Sequence, residues 1–144
     1  GSYTDKDYIA YLMEPVAHGN LREFLDDERP EGIHEPKRMS LRNYFGCLSG
    51  AIHYLHHTCK LRHRDLTCQN ILVKGDSVYI SDFGTAYDHS KGRSTTQDRN
   101  IPRTEFYMAP EVAKRQKRNS ASDMWSLGVV FLEMATVLLG STVS

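Results

Sequence analysis

His63-Arg64-Asp65-Leu66-Thr67-Cys68-Gln69-Asn70, followed a little later by Ser81-Asp82-Phe83-Gly84, is the stretch on which the fold turns. Between the two lie Ile71-Leu72-Val73 and Val78-Tyr79-Ile80, separated by a Lys-Gly-Asp-Ser turn over 74–77, the pattern of a β-hairpin. The ends of a hairpin meet, so Asp65, Asn70 and Asp82 are predicted to come within reach of one hard cation. Two carboxylates and an amide are oxygen ligands of the kind Mg²⁺ takes while it holds phosphates. Phosphoryl transfer asks for little more than charge neutralisation, alignment and a group that accepts the hydroxyl proton.

Outward from this hairpin the chain alternates short apolar pieces with helical patterns. Upstream, Tyr8 to Met13 reads as a buried strand stopped by Glu14-Pro15. His18-Gly19-Asn20 is turn chemistry, and Asn20 caps a short amphipathic helix over Leu21 to Leu25. Residues 26–38, with Pro30, Gly32 and Pro36 among charges, read as a surface loop. From Ser40, Leu41, Tyr44, Phe45, Leu48, Ala51, Ile52 and Leu55 recur at helical spacing and make one broad apolar face. Downstream, residues 82–111 form a polar stretch too long for an ordinary connection. Ser122 to Ala135 is a helical pattern apolar on nearly every side, so burial all round is expected.

The 144 residues suit one domain or a piece of one, and 18 basic against 18 acidic residues give no net charge. No global field therefore recruits nucleic acid or an anionic membrane, and no strictly apolar run approaches the ~20 residues of a membrane span. Three cysteines, an odd number with no C-x-x-C, point to reduced thiols and an intracellular setting, cytoplasm or nucleus.

In their order and spacing, H-R-D at 63–65 with Asn70, D-F-G at 82–84 and Ala109-Pro110-Glu111 resemble the eukaryotic protein kinase family. Met13-Glu14-Pro15-Val16 resembles that family's hinge, Thr104 to Glu111 its substrate-binding segment, and Ser122 to Gly128 its central buried helix. The resemblance covers nearly all of residues 1–144, as a partial kinase domain. It implies an α+β fold: a mainly helical large lobe with short β-hairpins, the small lobe mostly missing. Residues 82–88 and 131–136 further resemble a group of fungal kinases.

The resemblance also implies roles. Asp65 would accept the proton of a protein hydroxyl, while Asn70 and Asp82 would hold Mg²⁺ on the phosphates of ATP. Glu14 and Val16 would meet adenine through their backbone, Met13 would line the back of the pocket, Asn20 would reach ribose, and Leu21 and Leu72 would pack near the purine. Arg64 would hold a phosphate placed on Ser94, Thr95 or Thr96, and Asp123 would cap the backbone of the catalytic loop. Thr104, three residues before Tyr107, matches the serine/threonine pattern for substrate binding.

The chain departs from that pattern at Thr67, where serine/threonine kinases carry Lys, at Cys68, where Pro is common, and at Arg103, where Gly is usual. A hydroxyl does not replace a cation that neutralises the transferred group, a loss on the order of 10²-fold in rate. No glycine-rich loop and no Val-Ala-Ile-Lys strand occur here, so residues 1–144 alone are expected to be poorly stable and inactive, with Glu111 lacking an arginine partner. The reading is a serine/threonine kinase, with a pseudokinase scaffold as the alternative. A small-molecule phosphotransferase has no need of Arg64 or Ala-Pro-Glu. His53, His56, His57 and Cys59 match no zinc spacing and read as a solvated face, as does the basic run 114–118.

Overall fold

A computed structural model describes residues 1–6, 9–11, 14–26, 34–90 and 105–141. Strands β1 (Ser2–Thr4) and β2 (Ile9–Tyr11) pair antiparallel, Tyr3 opposite Ala10. After them β3 (Gly19–Asn20) runs directly into α1 (Leu21–Asp26). The long helix α2 (Glu35–His57) is followed by β4 (Leu61–Arg62), the hairpin β5 (Ile71–Lys74) and β6 (Ser77–Ile80), and β7 (Tyr87–Asp88). The short α3 (Pro110–Ala113) and the 18-residue α4 (Ala121–Leu138) complete the order. The three-stranded sheet runs β3-β5-β6, all antiparallel, and β4 pairs with β7 in a separate ribbon.

The hairpin falls where alternation places it, and its two-residue turn puts Gly75 at φ +56°, which an L side chain resists. Tyr44 Oη donates to Gly75 O at 2.5 Å and Ser40 Oγ to Asp76 Oδ1 at 2.5 Å, so α2 grips the turn. Leu41, Tyr44, Leu48 and Ile52 form the buried stripe of α2, packed with Leu66, Ile71 and Val73 and with Leu127, Val130 and Met134 of α4. Phe45 against Phe131, centroids 4.8 Å apart, joins the two helices.

Five expectations need correction. Glu35 to Arg38 are helical, because Pro36 sits in the first turn, where its missing N–H costs nothing and its fixed φ suits the helix. Gly19-Asn20 is a strand as well as a turn, and the polar stretch after Asp82 begins with a 3-10 turn over Phe83–Thr85 followed by β7; elements of two or three residues are too short to show periodicity. Helix α4 is not buried all round: Met124, Trp125 and Leu132 are exposed, while Asp123 and Glu133 are buried. By length and composition alone α4 could cross a membrane (18 residues, mean hydropathy 1.3). Its two buried acids, bonded to other elements of the chain, are how a core helix is anchored. His56 is not part of a solvated face but buried, whereas His53 and His57 stack on the outside at 4.3 Å.

Candidate active site

The hairpin closes on its own entrance. Ser81 N and Ser81 Oγ both donate to Asn70 O, at 2.8 and 3.0 Å, so Asp82 emerges beside Asn70. Asn70 Nδ2 in turn donates to Asp65 O at 2.8 Å and to Asp65 Oδ2 at 3.2 Å. With its nitrogen turned to Asp65, the Asn70 amide directs its oxygen elsewhere. Asp82 adopts a left-handed backbone (φ 58°) and its Oδ1 accepts from Gly84 N at 3.2 Å. A Cβ on Gly84 would lie 3.1 Å from that same oxygen, so the turn is shaped for glycine.

Beneath this loop Asp123 accepts from the backbone amides of His63 (2.8 Å) and Arg64 (2.9 Å) and meets His56 Nε2 at 2.8 Å. Three partners let Arg64 hold φ 75°, a conformation costly for a residue with a side chain. Burial pushes the Asp123 carboxyl up, but the bonds from His56, Arg64 and His63 outweigh it and hold the group below the usual carboxylate range. The predicted capping of the catalytic loop by Asp123 is thus present. His63, fully buried, shares a hydrogen bond between Nε2 and Ser81 O at 2.8 Å and packs edge-on against Phe83 at 5.0 Å. Thr85 Oγ1 donates to His63 O at 3.1 Å, tying the Asp-Phe-Gly turn to the loop.

Thr67 is spent locally. It is 2% exposed and its Oγ1 accepts from Asn70 N at 3.3 Å, capping the 3-10 turn Cys68–Asn70. Cys68 Sγ donates to Glu133 Oε2 at 2.8 Å, Tyr107 Oη donates to the same oxygen at 2.7 Å, and Arg22 pairs with Glu133 Oε1. This buried cluster escaped sequence reasoning, although one acid in the otherwise apolar run 129–134 was its signal. Burial first, then Glu133, push both the Cys68 thiol and the Tyr107 hydroxyl far up, while Arg22 is raised by Glu133 and Tyr107 against its own burial. A thiol held protonated is a poor nucleophile. Brief iodoacetamide treatment of the native protein near pH 8 should therefore label the exposed Cys47 and leave Cys68 unmodified until denaturant is added, as peptide mass mapping would show.

A cavity of about 860 Å³ is lined by Glu14, Pro15, Leu72, Ile80, Asp82 and Phe83, among others. It joins the predicted hinge to the predicted metal ligand. Val16 is 76% exposed, and Leu21 is fully buried in the core. Asn20 lies in a smaller cavity beside Glu23, where its Oδ1 accepts from Glu23 N while Glu23 Oε2 accepts from Asn20 N, a reciprocal cap. Met13, Ser94, Thr95, Thr96 and Thr104 lie outside the described residues. Arg64 and Arg62 both stand 5.6 Å from the centre of the Tyr87 ring. Glu111 accepts from Ser122 Oγ at 2.9 Å.

The sequence profile of the protein kinase domain matches residues 1–139. Among curated relatives, the receptor protein-tyrosine kinase CEPR2 of Arabidopsis thaliana is 37% identical over 132 residues, covering 88% of this chain and 13% of that protein. Serine/threonine-protein kinase pakG of Dictyostelium discoideum is 32% identical, covering 94% of this chain and 11% of its own length. Mouse cyclin-dependent kinase 4 is 36% identical, covering 92% and 42%. The chain thus spans well under half the length of these relatives. They are plant, amoebal and mammalian, and the likeness to a fungal group is without support.

Proposed function

The chain belongs to the protein kinase family, and from that premise we propose that the protein carrying it transfers the γ-phosphate of Mg-ATP to serine or threonine hydroxyls of protein substrates. The observation that carries this reading is how Asp65, Asn70 and Asp82 are linked: an Asn70 amide bonded to the Asp65 carboxylate, and an Asn70 carbonyl bonded to Ser81, the residue before the Asp82 that lines the cavity. Asp82 and the Asn70 amide oxygen are hard oxygen donors that fit Mg²⁺, and the glycine-shaped turn at Gly84 leaves the Asp82 carboxylate room. When bound, the Mg-ATP complex supplies the phosphoryl group and neutralises charge on it.

The chain's own part is positioning and one proton. Asn70 holds Asp65 through Oδ2, and the Asp65 carboxylate is assigned to take the proton of the incoming hydroxyl. Leu72, Ile80 and the Glu14-Pro15 backbone supply an apolar floor for the purine. Arg64 is assigned as the partner of a phosphate on Ser94, Thr95 or Thr96, with charge-assisted bonds ordering that segment. Thr104 is assigned to the substrate, and the reduced cysteines suit the cytoplasm or nucleus. Residues 1–144 by themselves are expected to show no transfer.

Gly84→Ala tests the metal end. The added methyl must push the Asp82 carboxylate by a few tenths of an ångström, so the Mg²⁺ concentration giving half-maximal activity should rise by about tenfold. A magnesium titration of the initial rate checks it.

One observation favours a second reading, a pseudokinase that binds without transferring. Thr67 stands where the lysine is usual and its hydroxyl is occupied in capping, so Thr67 supplies no cation to the phosphoryl group. Radiolabelled transfer from Mg-ATP to a generic protein substrate by the full-length protein, with acid hydrolysis to identify the acceptor, decides between the two. Phosphoserine or phosphothreonine supports the kinase, phosphotyrosine moves the substrate class, and no transfer by a folded ATP-binding protein supports the scaffold.

A further inference from the structure

Four of the five residues Lys114-Arg115-Gln116-Lys117-Arg118 are basic in a chain with no net charge. They are not a loose tail. Lys114 N donates to Pro110 O, Arg115 N to Val112 O and Gln116 N to Glu111 O, at 3.0, 3.0 and 2.8 Å, folding the run back on α3, with Arg115 at φ 55°. Lys114, Arg115 and Lys117 are exposed, and among the described residues no carboxylate stands within ion-pair distance of them. Glu111 is engaged by Ser122, and Glu105 is the nearest exposed acid in sequence.

The position of the run gives it a use. Val112 and Arg118 both line a small cavity together with Asp65, Tyr107 and Ala109, and Arg118 Nη2 donates to Arg64 O at 2.8 Å, one residue from the proposed proton acceptor. Residues 113–117 therefore arc between two walls of that cavity. None is more than three residues from a wall, a Cα distance of at most about 11 Å. The cavity itself, about 20 Å³, holds roughly one water. A peptide presenting a hydroxyl to Asp65 brings its flanking residues near the walls at Val112 and Arg118, which the basic run joins in sequence.

Resting on the kinase reading, we propose that residues 114–118 form a specificity surface for acidic residues flanking the acceptor hydroxyl of the protein substrate. Exposed charges at this separation act through solvent, so the preference is additive over the arc and screened by salt. A nucleic acid is the less suited partner: the run contains no aromatic residue to stack on bases, and it borders the cavity that holds Asp65.

The test uses the full-length protein and three fluorescein-labelled peptides with one central Ser, flanked by Asp and Glu, by Ala, or by Lys. In fluorescence anisotropy the acidic peptide should bind on the order of tenfold more tightly than the Ala peptide at about 0.05 M salt, the gap shrinking by about 0.5 M. The triple variant Lys114→Glu, Arg115→Glu, Lys117→Glu should invert the order in favour of the Lys peptide. Because the readout is a ratio within one preparation, a misfolded fraction cancels. Equal binding of the three peptides, a preference kept by the triple variant, or displacement of the acidic peptide by equimolar random RNA would each overturn the proposal. Turnover separates it from the reading beneath. Charge-selective binding with no phosphorylation by an ATP-binding protein removes the kinase reading and leaves an acidic-peptide surface, whereas phosphorylation blind to flanking charge removes the surface and leaves the kinase.

Discussion

Asp65→Asn should lower kcat for phosphoryl transfer by about 10³-fold in the full-length protein while leaving KM for ATP nearly unchanged. The magnitude is that of a general base removed from a transition state, roughly 10²–10⁴. The split between kcat and KM follows from the geometry. Asp65 lines the small cavity beside Tyr107 and Ala109, whereas the large cavity is lined by Asp82 together with Glu14 and Pro15. The substitution keeps the side chain's shape and an oxygen for Asn70 Nδ2, so the loop should stay in place and its thermal midpoint should move by little. Asp82→Asn should behave differently, raising the magnesium requirement as well as lowering the rate. The buried cap at Thr67 bears on the baseline. If no other group supplies the missing positive charge, the wild-type rate already sits on the order of 10²-fold below that of a kinase with the lysine. Stopped assays long enough to register one turnover per hour are therefore needed for the comparison. A variant within tenfold of the wild type would show that Asp65 is not the proton acceptor.

What the sequence made legible follows from where its signals were dense. The hairpin was readable because two β-branched runs flank a Gly-Asp turn, and its closure is what brings Asn70 and Asp82 together. The helix over Leu41 to Leu55 was readable from its stripe, but its first turn was not, because Pro36 signals a break in the interior of a helix and a start at its end. Candidate site residues could be named from type and spacing. Not every support could be: the resemblance gave the cap of Asp123 on His63, and Glu133 stands out in its apolar run, but nothing local points Glu133 to Arg22, 111 positions away. Thr67 looked like a missing charge, and the structure adds that it is a present cap. Helix α4 misled through composition. Its apolar residues outnumber the places the described chain offers them, so Met124, Trp125 and Leu132 face outward while two acids take buried positions against specific donors.

Asp123→Ala should be the most damaging single change to stability, costing about 3–5 kcal/mol, because it strips the acceptor from three donors at once. The amides of His63 and Arg64 would be left buried without a partner, and each such group costs about 1–3 kcal/mol. Against a total of ~5–15 kcal/mol for a natural domain, the loss is a large fraction of the whole. In a domain of this size it corresponds to a drop in Tm of roughly 10 °C or more. The sign of its pH dependence follows from the depressed carboxyl. A folded-state value below the unfolded one, about 3.9, means the stabilisation from ionising Asp123 is fully present above that value and is lost as pH falls toward the folded one. The gap in Tm between wild type and Asp123→Asn, which keeps the shape and removes the charge, should thus narrow below about pH 4. A gap unchanged at pH 3 would mean that the carboxylate's charge contributes nothing, and that shape alone holds the catalytic loop. Function should track the same bond. Arg64 holds its left-handed backbone only while its amide is anchored, and Asp65 follows it in sequence. Any activity left in Asp123→Asn should therefore show a reduced kcat with KM for ATP close to that of the wild type, since the cavity bounded by Leu72, Ile80 and Asp82 does not touch Asp123.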